Sequence, residues 1–426
     1  MITDQLGRFF AFDVTLLTMF WYAAVIEVPR FLIGALYMAG REVLGLSPRT
    51  ESISTDGLAP RTPTISVLLP GHNEGAGLER TILALHEQTA LPLQIVVIDD
   101  GSTDNMANVG RRLKARGLID VFISTGLRGG KAAAQNLGLT YCKGDIIVVS
   151  DVDTSLDRDA IARLLEPFAD PLVGAVSGNL GVRNFDRTIV ARFQAIQYLN
   201  SIAMGRRIND MLYGLFVASG AFAAFRREAL ESVGGWSAGP GEDGDVTTKL
   251  RRAGWSVRFQ PHAWALTDVP ETLTGLLRQR ARWNRSFAML RFRKHAWILN
   301  PLHANFSLRD SLGTLDALYF EAIRPAAFLV YVVWLFSEFG AMAWPVVAIV
   351  VTVYMIASVV LFVTALAVSG HYSRIGLLPY VPGAMLFNSV VLRPAAIYAY
   401  VTELLWRLGY RDDFLPSRVL ARVDRF

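Results

Sequence analysis

Cysteine is almost absent from this sequence, since Cys142 is the only one among 426 residues. A single thiol cannot form an intramolecular disulfide or a cysteine metal cluster, so the sequence excludes both. Cys142 follows the stretch "GLTY" in an apolar context, which predicts a packed core position. The first residues lack a basic segment and a small-residue cleavage site, so we expect no cleaved signal peptide.

A strong excess of one charge is also lacking. The 42 lysine and arginine residues barely outnumber the 37 acidic residues, and the net charge is +5. Binding to duplex DNA usually requires a denser basic face, so we expect no nucleic-acid partner, whereas a membrane surface or an anionic substrate fits this balance. Apolar residues make up 52% of the chain, and their uneven distribution indicates a membrane protein with an attached soluble domain.

The first long apolar run, from about residue 12 to residue 39, predicts an N-terminal transmembrane segment within residues 1–45. Glu27 and Arg30 interrupt it three residues apart on one helical face, where they would pair near the interface. A linker rich in Ser, Thr and Pro follows at 46–63 and indicates a domain boundary.

The second apolar region begins near residue 313 and predicts C-terminal transmembrane helices over 313–406. This region contains three apolar runs, at 315–336, 344–367 and 377–402. Each run is long enough to cross a hydrocarbon core of about 30 Å. A basic tail at 407–426 follows, and its charge favours the cytoplasmic side. Three crossings after a cytoplasmic domain would place the tail on the other side, so the alternative is that one of the three runs is re-entrant or interfacial.

Short β-branched runs alternate with helical segments between the apolar ends. The runs "TISVLLPGHNE", "LQIVVIDDGSTD" and "DIIVVSDVDT" predict buried strands of a parallel α/β sheet with right-handed crossovers. Ligands of such sheets bind beyond the carboxyl ends of the strands. Polar side chains stand at all three strand ends, namely Asn73 and Glu74, Asp99 and Asp100, and Asp151 and Asp153.

These residue types suggest a site for a nucleotide and a cation. In an extended segment, Asp151 and Asp153 would lie on the same side and could share a divalent ion, although surface turns also produce D-x-D triplets. Asp99 and Asp100 could accept hydrogen bonds from a base or ribose, or cap the following helix. Lys131, in "GLRGGKAAAQN", opens a helix whose first amides favour anions, the alternative being a plain surface turn.

Two further stretches carry clustered charges. In "GPGEDGDVTTKLRRAGW", the acids Glu242, Asp243 and Asp245 begin a helix, where they complement its dipole or, in the case of Asp243, serve as a general base. In "LLRQRARWNRSF", four arginines surround Trp283. That pattern suits a solvated or lipid-facing basic helix, or a site that binds a diphosphate and stacks a sugar on the indole.

In this order, the motifs "SVLLPGHNE", "VVIDDGSTD", "GGKAAAQN", "SDVDT", "SGAFAAFRREAL", "GEDGDVTTKLRRAG" and "QRARW" resemble those of family 2 inverting glycosyltransferases. The last one, Q-x-x-R-W, resembles the processive, membrane-embedded branch that includes cellulose, chitin, hyaluronan and poly-N-acetylglucosamine synthases. The resemblance covers roughly 64–287. It implies an α/β GT-A domain at 64–268, inserted between transmembrane helices, with amphipathic interface helices at 269–312.

The resemblance also implies roles for individual residues. Mg2+ or Mn2+ is the expected cofactor, held with the diphosphate by Asp151 and Asp153. The expected nucleotide-binding residues are Asn73, Glu74, Asp99, Asp100 and Lys131. Asp243 is the expected catalytic base, beside Glu242, and the residues expected at the mouth of a transmembrane path are Gln279, Arg282 and Trp283. There Arg282 would contact the diphosphate and Trp283 the acceptor sugar, while the other arginines would contact lipid headgroups.

The implied function is extension of a β-linked polysaccharide from a UDP-sugar at the bacterial inner membrane, with the catalytic domain in the cytoplasm and the polymer exported. Expected partners are the growing polysaccharide or a glycolipid acceptor, membrane lipids, and an accessory export subunit or a second copy of the chain. The F-x-V-T-x-K and W-G-T-R motifs of some relatives are missing. Two alternatives stay open, a transferase adding one sugar to a membrane lipid and a non-catalytic export subunit.

Overall fold

The structure is a computed structural model that describes Tyr37, Gly40 and residues 63–422, apart from 91–92, 213, 305 and 412–414. The predicted N-terminal transmembrane segment, with Glu27 and Arg30, and the linker therefore lie almost wholly outside the described residues. The chain forms two compact units, a larger one that includes 63–314 and 399–422 and a smaller one that includes 315–398.

An eight-stranded sheet occupies the centre of the larger unit. In chain order the strands are β1 (Ile65–Gly71), β2 (Leu93–Asp99), β3 (Val121–Ser124), β4 (Ile146–Ser150), β5 (Ser155–Leu156), β6 (Val173–Val182), β7 (Phe222–Arg226) and β8 (Ser256–Thr267). Their spatial order is β3-β2-β1-β4-β7-β6-β8-β5.

The sheet is mixed. Strands β1, β2 and β4, which the apolar runs predict, are parallel, and β3 joins them in the same direction. The expectation of a wholly parallel sheet is wrong beyond β4, because β7 pairs antiparallel with both β4 and β6. The carboxyl ends of β1, β2 and β4 still share one edge, and the candidate site forms there.

Continuous burial explains why these strands lie in the middle of the sheet. Val67, Leu68 and Leu69 of β1 are completely buried, as are Val96, Val97 and Ile98 of the neighbouring strand β2. Helices cover both faces of such strands, so their sequences are apolar without alternation. Each buried Val, Leu or Ile contributes roughly 1.5–3 kcal/mol to stability.

Helices pack on this sheet and position its loops. Their bounds are α1 (Gly75–His86), α2 (Met106–Ala115), α3 (Lys131–Leu139), α4 (Ala160–Leu165), α5 (Ile189–Tyr198), α6 (Arg206–Leu212), α7 (Arg227–Ser232), α8 (Glu242–Arg252) and α9 (Leu273–Met289). In α1 the buried residues Leu78, Ile82 and Leu85 are spaced four and three apart, so they form one apolar stripe against the core.

The C-terminal part of the chain is mainly helical. Its α-helices are α10 (Leu308–Leu318), α11 (Arg324–Phe339), α12 (Ala343–Ser369), α13 (Val381–Phe387), α14 (Arg393–Trp406) and α15 (Ser417–Leu420). Short 3-10 or π-helical turns join several of them, at Tyr319–Ile323, Gly340–Met342, Tyr372–Tyr380, Asn388–Leu392 and Leu408–Arg411.

Within the described residues, two helical stretches are long and apolar enough to cross a membrane, Ala326–Ser369 and Ser373–Trp406. The first contains α12 and all of α11 except its first two residues, and the second contains α13 and α14. Length and composition therefore support membrane association of this part of the chain. Three separate C-terminal crossings remain a prediction.

Candidate active site

Asn73 joins the end of β1 to the loop that follows β2. Its backbone is left-handed, with φ of 61°, and its amide donates to Ser102 Oγ at 2.9 Å. The side-chain Oδ1 accepts the backbone N–H of Thr103 at 2.8 Å. Asn tolerates this backbone region better than most residues, so the strand can turn sharply here. Asn73 therefore shapes the loop at the edge of the sheet.

Asp99 and Asp100, both buried, hold two more loops. Asp99 accepts the Ser102 amide at 3.0 Å and the Ser124 hydroxyl at 2.6 Å. The two oxygens of Asp100 accept the amides of Gly129 at 2.6 Å and Gly130 at 2.7 Å. These hydrogen bonds hold the "GLRGGK" loop against the end of β2. Direct contact of either carboxylate with a nucleotide remains a prediction.

Lys131 begins α3, as the sequence predicts, and its ammonium group reaches across the sheet edge. It forms an ion pair with Asp151 and donates to the carbonyl of Gly220 at 3.1 Å. Burial alone would lower the pKa of Lys131, but the charges of Asp151, Glu242 and Asp243 raise it above its ordinary value. Lys131 is therefore a charged lysine in the middle of an acidic cluster.

Asp151 and Asp153 flank a turn, so the expected extended D-x-D segment is wrong. The Thr154 amide donates to the Asp151 carbonyl at 3.2 Å, which closes the turn. Val152 is buried in the core between them. The chain turns because this one apolar side chain points inward while both acids remain partly exposed at the end of β4.

The acids at this edge repel one another. Burial, followed by the charges of Asp153 and Asp151, raises the pKa of Glu74 to about 7. Burial and the charge of Asp151 likewise raise the pKa of Asp153. In the part of the chain that the structure describes, no three acidic, histidine or cysteine side chains are arranged to hold a metal by themselves. Two aspartates and excess negative charge fit a cation that takes its remaining ligands from phosphate and water.

Glu242 and Asp243 are the first two residues of α8. Gly241 caps the helix in a left-handed conformation, with φ of 76°. A side-chain carbon on Gly241 would lie 3.0 Å from Ser286 Cβ and 3.1 Å from Leu290 Cδ1. Glycine is therefore required both by the backbone angle and by the close approach of α9.

The two sequence motifs that contain Lys131 and Asp243 meet at Gly220. A side-chain carbon on Gly220 would lie 3.1 Å from Lys131 Nζ and 3.8 Å from Asp243 Cβ. Asp243 Oδ1 accepts the Gly244 amide at 2.8 Å. Burial and the neighbouring charge of Asp243 raise the pKa of Glu242 above its ordinary value. The fold thus brings the expected base beside the expected nucleotide lysine.

Arg206 is a site residue that no sequence motif predicts. It donates to Ser177 Oγ at 3.2 Å, and the same hydroxyl accepts the Ser219 amide at 3.2 Å. Burial lowers the pKa of Arg206, and the charge of Asp243 opposes this effect. Nothing in the sequence marks this arginine, because it follows a π-helical turn at Leu199–Gly205 whose position depends on packing.

Asp245 has a structural role behind the site. Its Oδ1 lies 2.8 Å from His295 Nε2 and 2.9 Å from Lys294 Nζ. Although burial opposes it, these two partners hold the pKa of Asp245 well below its usual range. His295 is 50 residues away in sequence, so spacing alone could not reveal this connection between α8 and the segment after α9.

The predicted residues of the Q-x-x-R-W motif lie on α9. Gln279, Arg282 and Trp283 share a helical face, since they are three and four residues apart. The Gln279 Oε1 atom is buried and has no hydrogen-bond partner among the described residues. Trp283 is 39% exposed, enough to contact a ligand.

The expectation that the remaining arginines contact lipid is wrong for Arg280. Its guanidinium carbon lies 4.5 Å from the centre of the Trp283 ring, and Nη2 donates to Gln197 Oε1 at 2.8 Å. A cation stacked on an indole is stabilised by the ring quadrupole and holds the ring in place. Arg280 therefore supports Trp283 from within the protein.

Residues 66–234 match the family described as Glycosyl transferase family 2. The poly-beta-1,6-N-acetyl-D-glucosamine synthase of Staphylococcus aureus (strain COL) is 31% identical over 285 residues, which cover 66% of this chain and 65% of the relative. The Staphylococcus epidermidis enzyme of the same name is 32% identical over 221 residues, 51% of this chain and 53% of the relative. The similarity thus spans somewhat less than two thirds of these relatives.

A solved structure shows the same fold. The mannosyltransferase PcManGT from Pyrobaculum calidifontis, in complex with GDP-Man and Mn2+, matches with a TM-score of 0.58 and 22% identity, covering 91% of this chain and 99% of that one. The fold of the larger unit is therefore GT-A-like. Together with the motif order and the sheet-edge geometry, these findings show that residues 66–234 resemble a glycosyl transferase family 2 domain and that the chain resembles the processive members of that family.

Proposed function

We propose that this protein is a metal-dependent, inverting glycosyltransferase that extends a β-linked polysaccharide from a UDP-sugar at a membrane. The observation that carries the proposal is the meeting of Lys131, Asp151 and Asp243 around Gly220. Those residues come from three separate motifs, and together they supply a cation for a diphosphate, an acid for a metal and a base for an acceptor.

Asp243 is the proposed base. Its Oδ2 makes no hydrogen bond to the described residues, whereas Oδ1 is held by the Gly244 amide at 2.8 Å. Oδ2 would take the proton of an acceptor hydroxyl as the acceptor oxygen forms its bond to the anomeric carbon. The bond between that carbon and the diphosphate oxygen breaks on the opposite side, so the configuration inverts and UDP leaves.

Lys131 would stabilise the charge that develops on the departing diphosphate. The amides at the start of α3 add to this effect, because a helix N-terminus favours anions. Asp151 and Asp153 would hold Mg2+ or Mn2+, which supplies further charge neutralisation when bound. Glu74, held near them with a raised pKa, would face the nucleotide side of the same edge.

Trp283 would hold the acceptor sugar. Aromatic rings stack on the apolar faces of sugars, and the Trp283 ring is partly exposed while the Arg280 guanidinium packs against it. Arg282 on the same helix would contact the diphosphate. The two apolar helical stretches support a membrane location, where polymer export would follow synthesis.

The names of these relatives make N-acetylglucosamine the first sugar to test and a β-1,6 linkage the first product to look for. The experiment uses the purified full chain in nanodiscs with Mn2+, Mg2+ or chelator. UDP-N-acetylglucosamine, UDP-glucose and UDP-glucuronate are supplied separately and together, and UDP release and product size are followed.

The outcomes separate the alternatives. Metal-dependent UDP release with a high-molecular-weight product supports the proposal. A product that extracts only into organic solvent would instead show a transferase that adds one sugar to a lipid. Absence of UDP release with every donor would favour a non-catalytic export subunit or a missing partner chain.

A further inference from the structure

The last described residues of the chain lie on the glycine loop, defined here as residues 126–130. We propose that the C-terminal segment, residues 415–422, positions this loop for donor binding through Leu415 and Arg418. The inference rests on the proposed function, in which the glycine loop and Lys131 bind the nucleotide diphosphate. It assigns a role in donor binding to a segment that the sequence predicts only as a basic tail.

Leu415 packs directly over the end of the loop. A side-chain carbon placed on Gly130 would lie 3.0 Å from Leu415 Cδ2. Gly130 caps α3 with φ of 87°, a conformation that glycine adopts easily. Leu415 therefore occupies the space beside the residue that sets the direction of α3 and of Lys131.

Arg418 makes a polar contact with the same loop. Its Nη2 donates to the backbone carbonyl of Arg128, which lies 290 residues away in sequence. The amides of Gly129 and Gly130 are already bound to Asp100. The loop is thus held by β2 through its amides and by the C-terminal segment through a carbonyl, which restricts its movement from two directions.

The apolar cluster that Leu415 packs against also contacts the start of α8. Leu415 packs against a buried cluster formed by Met289, Leu290, Tyr410 and Leu420. Leu290 Cδ1 lies 3.1 Å from a side-chain carbon placed on Gly241 and 3.0 Å from one placed on Gly244. Within this cluster, Leu290 is the residue that contacts the start of α8, whereas Leu415 is the residue that contacts the glycine loop.

A second anchor fixes the chain just before this segment. Glu403 is completely buried, and its Oε2 accepts the Gly409 amide at 2.6 Å. Arg293 Nη2 donates to the carbonyls of Glu403 and Leu404, at 2.9 Å each. The chain is therefore anchored at Glu403 and Gly409, and again at Leu415 and Arg418, where it contacts the glycine loop.

The test compares full-length variants. Leu415→Ala combined with Arg418→Ala removes both contacts, Arg418→Lys keeps a donor for the Arg128 carbonyl, and Arg422→Ala changes an exposed arginine of the same segment. The measurements are KM and kcat for the UDP-sugar, and hydrogen exchange of the peptide that covers residues 126–131. Hydrogen exchange reports on the loop whether or not the sugar is transferred.

Loss of one or two such contacts should raise KM for the donor by about three- to tenfold, with kcat changed less than about twofold. The Gly129 and Gly130 amides should exchange faster in the double variant. Arg418→Lys should recover most of the wild-type KM, and Arg422→Ala should match wild type in both measurements.

Unchanged KM in the double variant would overturn the inference, as would unchanged exchange of the loop. Equal effects of Arg422→Ala would also overturn it, since they would show a general effect of charge. If the wild-type protein uses no UDP-sugar while the loop exchanges faster in the double variant, the proposed function fails and the structural role of the segment stands.

Discussion

Lys131 forms an ion pair with Asp151, joining the first residue of α3 to the residue that follows β4. Both side chains are partly buried, and Lys131 also donates to the Gly220 carbonyl at 3.1 Å. The pair places a positive charge among acids whose repulsion would otherwise be uncompensated. The Lys131 ammonium group would therefore already be in position to bind a diphosphate that enters the site.

Replacing Lys131 should therefore weaken donor binding. A hydrogen bond to a charged group contributes about 1.5–3 kcal/mol, so Lys131→Met should raise the dissociation constant of UDP roughly ten- to a hundredfold. Isothermal titration calorimetry with UDP and Mn2+ measures this effect. Lys143→Met is the matched control, because the Lys143 side chain is exposed. The Lys143→Met protein should bind UDP with wild-type affinity. Equal affinity of the two variants would refute the role of Lys131.

Gly241 should be sensitive to substitution by alanine. Its φ is 76°, and the new methyl group would contact Ser286 Cβ at 3.0 Å. Gly254 has φ of 90° and open space around it, so Gly254→Ala tests the backbone strain alone. We expect Gly241→Ala to destabilise the protein by about 1–3 kcal/mol more than the control, because of overpacking. Thermal unfolding of both variants measures the difference, and similar losses would contradict the packing argument.

Cys142 should be chemically silent in the folded protein. It is 4% exposed, and burial raises the pKa of its thiol to about 11. At pH 8 roughly one thiol in a thousand would be ionised, against about a quarter for an ordinary cysteine. Iodoacetamide should therefore label the native protein slowly and the urea-unfolded protein quickly, as read by intact mass. Rapid labelling of the native protein would show that the thiol is exposed.

Trp283 should control product length more than donor binding. Removing the indole in Trp283→Ala eliminates the exposed surface that Arg280 supports, and stacking of a nucleic-acid base on an aromatic ring, a comparable contact, is worth about 1–3 kcal/mol. We expect shorter polymer by gel filtration with UDP affinity unchanged. Trp283→Phe should retain most of the chain length. Wild-type length in the alanine variant would argue against an acceptor contact.

The sequence predicted the parts of this fold that depend on local pattern. Strands β1, β2 and β4 are continuous apolar runs, and the polar residues at their ends meet because parallel strands share a direction. The pairing of β4 with β7 could not be predicted from local sequence, since it joins segments more than 70 residues apart. The turn at Asp151 was missed because burial of Val152 decides it.

The candidate site likewise contains residues that local motifs predict and residues that only tertiary contacts reveal. Lys131, Asp151 and Asp243 belong to recognisable motifs, and the structure brings them together. Arg206 and the Asp245–His295 pair depend on tertiary contacts between distant segments. The contacts of Leu415 and Arg418 with the glycine loop could not be predicted either, because a short basic tail has no periodic pattern that indicates which segment it contacts.

The most direct test of the proposed function compares the wild-type chain with Asp243→Asn. With UDP-N-acetylglucosamine and Mn2+, we expect the wild type to release UDP and make a high-molecular-weight polymer. Loss of a general base lowers the rate by about a hundredfold to ten-thousandfold, so the variant should bind UDP normally and transfer almost no sugar. Polymer synthesis by Asp243→Asn at the wild-type rate would contradict the central claim.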